Sequence, residues 1–409
     1  MDYNLQLNNY AKLIVKVGVN IRSGQTLVVN SSLEAAELTR LIVKHAYEAG
    51  ALLVKVNWSD DTITRMRYDL APDESFLVEP KWLAAEMEEL VAGDAAVVSI
   101  VTSPPDLLDG VPQERIVNYQ KTYSNTMAKY RHAVQTHKFS WCLAAAPSPA
   151  WAAKVFPGEH ADTQLRKLWD AIFSAVRADQ VDPIAAWEEH SSFLRKRADY
   201  LNAKAYKKLH YLAPGTDLTI ELPKGQIWLG GAKANGQGCS FVANIPTEEV
   251  FTAPLATGVN GIVSSTKPLS YGGTIIDRFS LTFENGRIVH AQAEQGEDTL
   301  NNLIAMDEGS HYLGEVALVP HQSPISDSNI LYYKTLFDEN SSNHLAIGSA
   351  YASNLEGGKQ MSQEELKAAG LNTSMVHVDF MVGSAEMDIF GVTEDGSREP
   401  IFIKGNWAF

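Results

Sequence analysis

Apolar and polar positions over residues 1–205 switch between a helical and a strand period. Leu5, Tyr10, Leu13, Ile14 and Val17 recur at helical spacing before Gly18, which predicts an opening helix. The run 25–30 predicts a strand. Ser31 and Ser32 then stand where caps belong, ahead of a helix over 34–50 with Leu38, Ile42 and Val43 on its inner side. The same pattern predicts strands at 51–57, 95–101 and 139–145, and helices at 81–91 and 117–135. Strands alternating with helices of this length predict right-handed βαβ units and a mostly parallel sheet.

Residues 160–209 carry a helical pattern, with Pro183 at a first-turn position. Beyond His210 strand-length pieces take over, at 217–221, 226–229, 279–283 and 288–293. Asn285-Gly286 between two alternating runs predicts a type I′ hairpin, and Asp395-Gly396 marks another in the closing meander. The expected fold class is an α/β N-terminal domain with a mostly parallel sheet (1–205), followed by a β-rich α+β C-terminal domain (206–409).

With 409 residues, 45% hydrophobic and 20% charged, the composition is that of a globular chain of two domains. A formal charge of −15 argues against a nucleic-acid-binding face, which needs a local excess of Lys and Arg. The two cysteines, Cys142 and Cys239, form no metal-binding or disulfide pattern. No apolar run approaches the ~20 residues of a membrane helix, and no leader pattern follows Met1, so a cytoplasmic location is expected. The strand-to-helix turns, Asn30-Ser-Ser and Thr102-Ser-Pro-Pro, lack a phosphate-binding glycine fingerprint. The front half is therefore expected to be a scaffold or substrate-gating domain. The glycine-rich stretch 230–238 precedes no helix pattern and is expected to be a loop between strands.

Candidate chemistry gathers in the second half. His377 and Asp379 are two apart in the apolar run 376–382, so a strand would project both from one face. Such a pair suits a divalent metal; a buried His–Asp hydrogen bond is the alternative. Glu249, Glu315, Glu339, His344, His377 and Asp379 all interrupt apolar or small-residue surroundings. Buried carboxylates are rarely tolerated unless paired or metal-bound. Several converging would repel, and a pair of divalent cations ~3.5–4 Å apart is a natural neutraliser. Glu248 and Glu249 also fit a solvated pair in a helix first turn after Thr247. If the segment 344–351 is helical, Tyr351 lies two turns beyond His344, near the same side. The zinc-peptidase pattern HExxH and the serine-hydrolase pattern GxSxG are both absent.

Five blocks, Asn244-Ile-Pro-Thr-Glu-Glu-Val-Phe-Thr-Ala-Pro254, Gly314-Glu-Val-Ala-Leu-Val319, Leu336-Phe-Asp-Glu-Asn340, His344-Leu-Ala-Ile-Gly-Ser-Ala-Tyr351 and His377-Val-Asp-Phe-Met381, resemble the M29 metalloaminopeptidases in content and order. The resemblance spans essentially the whole chain. It implies a dinuclear site on Glu249, Glu315, His344, His377 and Asp379, with Glu315 shared and Tyr351 beside the metals. It leaves one residue of choice between Glu248 and Glu249. It further implies release of N-terminal residues from short peptides by a metal-activated water, with Tyr351 steadying the oxyanion and Glu248 or Glu339 as proton shuttle. Two divalent ions (Zn, Co or Mn), substrates with a free N-terminus and a homodimer are the implied cofactors and partners. The residues by themselves also admit another dinuclear hydrolase, an amidase or phosphoesterase, or a non-catalytic metal- or peptide-binding protein.

Overall fold

Four parallel strands form the first sheet, in the order Leu53–Ser59, Thr26–Ser32, Ala96–Val101, Trp141–Ala145. The structure, a computed structural model, describes residues 2–409. Leu27, Val28 and Val29 are consecutive and all fully buried. That is the mark of a parallel strand covered by helices on both faces. Val28 and Val97 pack with Met87, Val91 and Phe139. The opening helix, Tyr3–Leu13, is anchored by Tyr10, whose hydroxyl bonds both polar atoms of Ala145 at 3.0 Å.

The helices between the strands depart from expectation in three places. The predicted helix over 117–135 is two, Gln113–Thr126 and Ala128–Gln135, with Met127 between them. Helix Asp61–Leu70, capped by Asp60 on the amide of Ile63, was not predicted. Its Ile63, Met66 and Leu70 are exposed, so its apolar residues do not trace a buried stripe. Helix Pro149–Val155 was also not predicted, although Ser148-Pro149 is a helix-start signal. At the carboxyl ends of the parallel strands hydroxyls bond one another. Thr102 Oγ1 donates to Ser32 Oγ at 2.7 Å, and Ser148 Oγ to the Thr102 carbonyl at 2.9 Å.

Two compact units account for the chain: 1–193 with 231–247, and 194–230 with 248–409. The division falls inside helix Pro183–Lys204. The segment 231–247 rejoins the first unit through Ala243, whose carbonyl accepts the Leu143 amide at 2.7 Å. Its glycine-rich part is a loop closing the short pair Lys233–Ala234 and Ser240–Phe241.

The second unit stacks a nine-stranded and a five-stranded sheet around one apolar core. Leu209, Leu218, Ile220 and Ile389 supply the larger sheet's share, and Val316, Leu318, Leu345, Ile347 and Phe380 the smaller's. Asn285 and Gly286 take φ of 48° and 84°, as a type I′ turn demands. Of the predicted strand 226–229, only Leu229 enters a ladder, in Leu229–Gly230. The closing residues fold back onto this unit, with Trp407 4.5 Å from Phe402 and Phe409 stacked on Tyr200 at 3.7 Å. Among the described residues no helix is long and apolar enough to cross a membrane.

Candidate metal centre

The five-stranded sheet carries the site, and its alternation explains why. The strands run in the order His377–Met381, His344–Gly348, Leu313–Leu318, Val250–Thr252, Leu229–Gly230, and all the pairings among them are antiparallel. Leu345, Ile347, Val316, Leu318 and Phe380 face the core. The intervening positions therefore face the other way. On that second face Glu315 stands opposite Ala346, and Ala346 opposite Asp379. In the neighbouring rows Ala317 pairs with His344, and His377 with Gly348.

A bulge puts Glu315 there. Leu313 pairs with Ile347 and Glu315 with Ala346, so Gly314 is the extra residue. Without it Leu313 and Glu315, two apart, would share a face; with it Leu313 enters the core while Glu315 turns outward. A side chain on Gly314 would meet the Gly348 carbonyl at 2.3 Å. Gly348 itself holds φ 109°, and a Cβ there would lie 2.2 Å from the Val376 carbonyl. Both positions require glycine.

Five donors converge in two overlapping groups, Glu249–Glu315–His344 and Glu315–His377–Asp379, the ligand atoms of each lying within 4.8 Å of one another. His344 Nε2 is 3.3 Å from Glu249 Oε2 and 3.6 Å from Glu315 Oε1. His377 Nε2 is 3.7 Å from Glu315 Oε2 and 3.5 Å from Asp379 Oδ1. Glu315 thus turns one oxygen to each group. Of the adjacent glutamates it is Glu249, just before strand Val250–Thr252, whose carboxylate reaches His344. Glu248 is buried too, and its amide donates to Asn340 Oδ1 at 2.7 Å.

Both imidazoles are oriented by carbonyls. His344 Nδ1 lies 2.9 Å from the Glu339 carbonyl and 3.1 Å from that of Ser342; His377 Nδ1 lies 2.7 Å from that of Ser349. A carbonyl can only accept, so each Nδ1 carries a proton, and in the neutral imidazole each Nε2 offers a lone pair to the cluster. That is the tautomer a metal ligand needs. His344 Nε2 and Asp379 Oδ1 are buried without a hydrogen-bond partner, an expensive arrangement for which a cation is the missing partner. The donor set fits divalent metal.

The charges follow from crowding. Burial, with Asp379 and Glu249 nearby, raises the Glu315 carboxyl above its ordinary range, against the pull of His344 and His377. Burial and the charge of Asp379 push Glu339 well above it. Asp379 moves down despite burial, because His377 and His344 favour its ionised form. Burial opposes protonation of His377, yet Asp379 and Glu315 outweigh it and raise the imidazole to about 9. Tyr351 is held well above the ordinary phenol range by burial and by the charges of Glu315 and Asp379.

Tyr351 reaches the site by another route than a helix. His344–Gly348 is a strand, and the short apolar run is equally compatible with either state by pattern. Tyr351 follows in a loop, its ring edge-on to His377 at 5.1 Å and to Phe251 at 6.0 Å. Glu339 opens the short turn Glu339–Ser341 ahead of that strand. Asn340, fully buried beside Glu339, is a site residue that no motif marks. The signal is a run of seven polar residues, Asp338-Glu-Asn-Ser-Ser-Asn-His344, between apolar Phe337 and Leu345.

Comparison with known proteins agrees with this geometry. A family model described as thermophilic metalloprotease (M29) matches residues 3–407. Aminopeptidase AmpS of Bacillus subtilis is 56% identical over 408 residues, covering 100% of both chains. Aminopeptidase T of Thermus thermophilus is 41% identical over 406 residues, 99% of each. The solved structure of wild-type AmpT from Thermus thermophilus matches with a TM-score of 0.92 at 39% identity, over 100% of both chains. A full-length family match over a fold that gathers imidazoles and carboxylates places this chain among the M29 metallopeptidases, as a metalloaminopeptidase.

Proposed function

We propose that the second unit holds a dinuclear centre: Glu249 and His344 would hold one ion, His377 and Asp379 the other, and Glu315 would be shared by both. The observation that carries this is the division of Glu315, Oε1 toward His344 and Oε2 toward His377. Charge supports it: Glu249, Glu315, Glu339 and Asp379 are four carboxylates gathered with two imidazoles, and two divalent ions balance them. Mixed imidazole and carboxylate donors suit Zn, Co and Mn alike. When bound, such ions supply Lewis acidity and bring the pKa of a coordinated water to about 7.

The chain's own residues then divide the remaining work. The Tyr351 phenol, kept protonated, donates to the oxyanion that forms as the first peptide carbonyl becomes tetrahedral. Glu339 takes a proton from the attacking water and returns it to the leaving amine; Glu248 is the second candidate for that step. A carboxylate of the cluster, together with one ion, would take the substrate's free α-amino group, which restricts cleavage to the first peptide bond; a homodimer enclosing the sites would admit only short peptides. We read the first unit as a scaffold or gate for substrate. The enzyme is proposed to be a cytoplasmic homodimer.

Aminoacyl chromogens and their N-acetylated counterparts test this reading. Release from the free-amine form alone, abolished by chelator and restored by Co²⁺, Zn²⁺ or Mn²⁺, is expected. Equal cleavage of the acetylated form, or no release with any of these ions, would overturn it.

A further inference from the structure

We infer that Asn340 is a positioning residue that selects Glu249, and not its neighbour Glu248, as the partner of His344; this rests on the dinuclear reading above. Asn340 is wholly buried in the turn Glu339–Ser341. Its Oδ1 accepts the backbone amide of Glu248 at 2.7 Å. Its Nδ2 donates to the Leu336 carbonyl at 2.8 Å and lies 3.4 Å from Glu339 Oε1. An amide donor must meet Oδ1 and a carbonyl must meet Nδ2, so these partners fix the amide's orientation.

The same turn steers His344, because the Glu339 carbonyl accepts its Nδ1–H at 2.9 Å. One three-residue turn therefore holds the imidazole through its first residue and the backbone of Glu248 through its second. Glu249 leads directly into strand Val250–Thr252, along which successive side chains project to opposite sides. Pinning the amide of Glu248 sets which of two identical side chains turns toward His344, and the 3.3 Å approach of Glu249 Oε2 to His344 Nε2 follows. Through Nδ2 the same side chain also steadies Glu339.

Metal titration of the purified enzyme and its variants, with turnover measured in parallel, tests this. Loss of an outer hydrogen bond to a metal site costs about 10–100-fold in affinity. Asn340→Ala is expected to weaken one of the two equivalents by at least about tenfold and leave the other near wild type. Asn340→Asp keeps an acceptor for the Glu248 amide but cannot donate. It is expected to restore tight binding while turnover stays low, because Glu339 has lost its donor. Ser341→Ala is the control for simple loosening: that hydroxyl is equally buried in the turn and donates to the Asp338 carbonyl at 2.7 Å. It is expected to keep both equivalents tight. Should Asn340→Ala not fold, Asn340→Ser, too short to reach the amide, makes the same comparison. Two tight equivalents in Asn340→Ala or Asn340→Ser, or equal weakening by Ser341→Ala, would overturn the inference. Fewer than two equivalents in the wild type would instead defeat the dinuclear reading itself.

Discussion

Glu315 and His377 stand on strands that are not neighbours, yet Glu315 Oε2 lies 3.7 Å from His377 Nε2. The strand between them, His344–Gly348, contributes only a methyl group and a glycine to the space they cross, from Ala346 and Gly348. Replacing Ala346 by Val sets two more carbons between Glu315 and Asp379 in a tightly packed row. Metal content is expected to fall below the full complement. Overpacking adds a stability loss of about 1–3 kcal/mol, read as a lower urea midpoint. A variant with full metal and normal activity would show that the narrow row is not needed.

The adjacent glutamates separate cleanly in a paired experiment. Glu249→Gln removes a carboxylate that approaches His344 to 3.3 Å and is expected to weaken metal binding by about tenfold or more. Glu248→Gln is expected to retain both ions. The reverse order, with Glu248→Gln losing metal, would exchange their roles.

Tyr351→Phe keeps the ring against His377 and removes only the hydroxyl. Turnover is expected to drop by about 10²–10³, the cost of one oxyanion donor, with metal content unchanged. Glu339→Gln is likewise expected to hold metal while turnover falls, because a carboxamide cannot relay a proton. Unchanged turnover in either variant removes that residue from the chemistry.

Protons and metal compete for the same imidazoles. In the metal-free protein His377 titrates near 9, above its ordinary 6.5, through Asp379 and Glu315 and against burial. Below 6.5 the imidazolium is present in folded and unfolded chains alike, and its attraction to those carboxylates stabilises the fold in full. That contribution is lost as pH rises through about 9. The urea midpoint of metal-free protein is therefore expected to fall between about pH 6.5 and 9, and less steeply in His377→Gln. Metal requires the neutral imidazole, so its affinity is expected to decline as pH drops below about 9. Identical slopes for wild type and variant would contradict the assignment.

The front sheet was legible because its information is local. Three of the four parallel strands carry a short apolar run, and the first in the chain leads straight into a cap, with Ser32 accepting the Glu34 amide. The pair His377 and Asp379 was legible for the same reason, since two residues apart on a strand means one face. The run His344–Gly348 was ambiguous between helix and strand, and only pairing on both sides resolves it. Least legible were relationships that depend on partners far along the chain. The bulge at Gly314 is invisible until Leu313 and Glu315 are seen to pair with consecutive residues. Asn340 acquires its role only through Glu248, 92 positions away. Helix Asp61–Leu70 has no apolar stripe to read, because Ile63, Met66 and Leu70 point outward and Tyr68 alone is buried.

The most direct measurement is the number of ions per chain taken up by metal-free enzyme, followed against recovery of aminopeptidase activity. The dinuclear account predicts two equivalents per chain, with full activity only after the second, and loss of both in Glu315→Gln. Full activity at one equivalent, or activity independent of added metal, would contradict it.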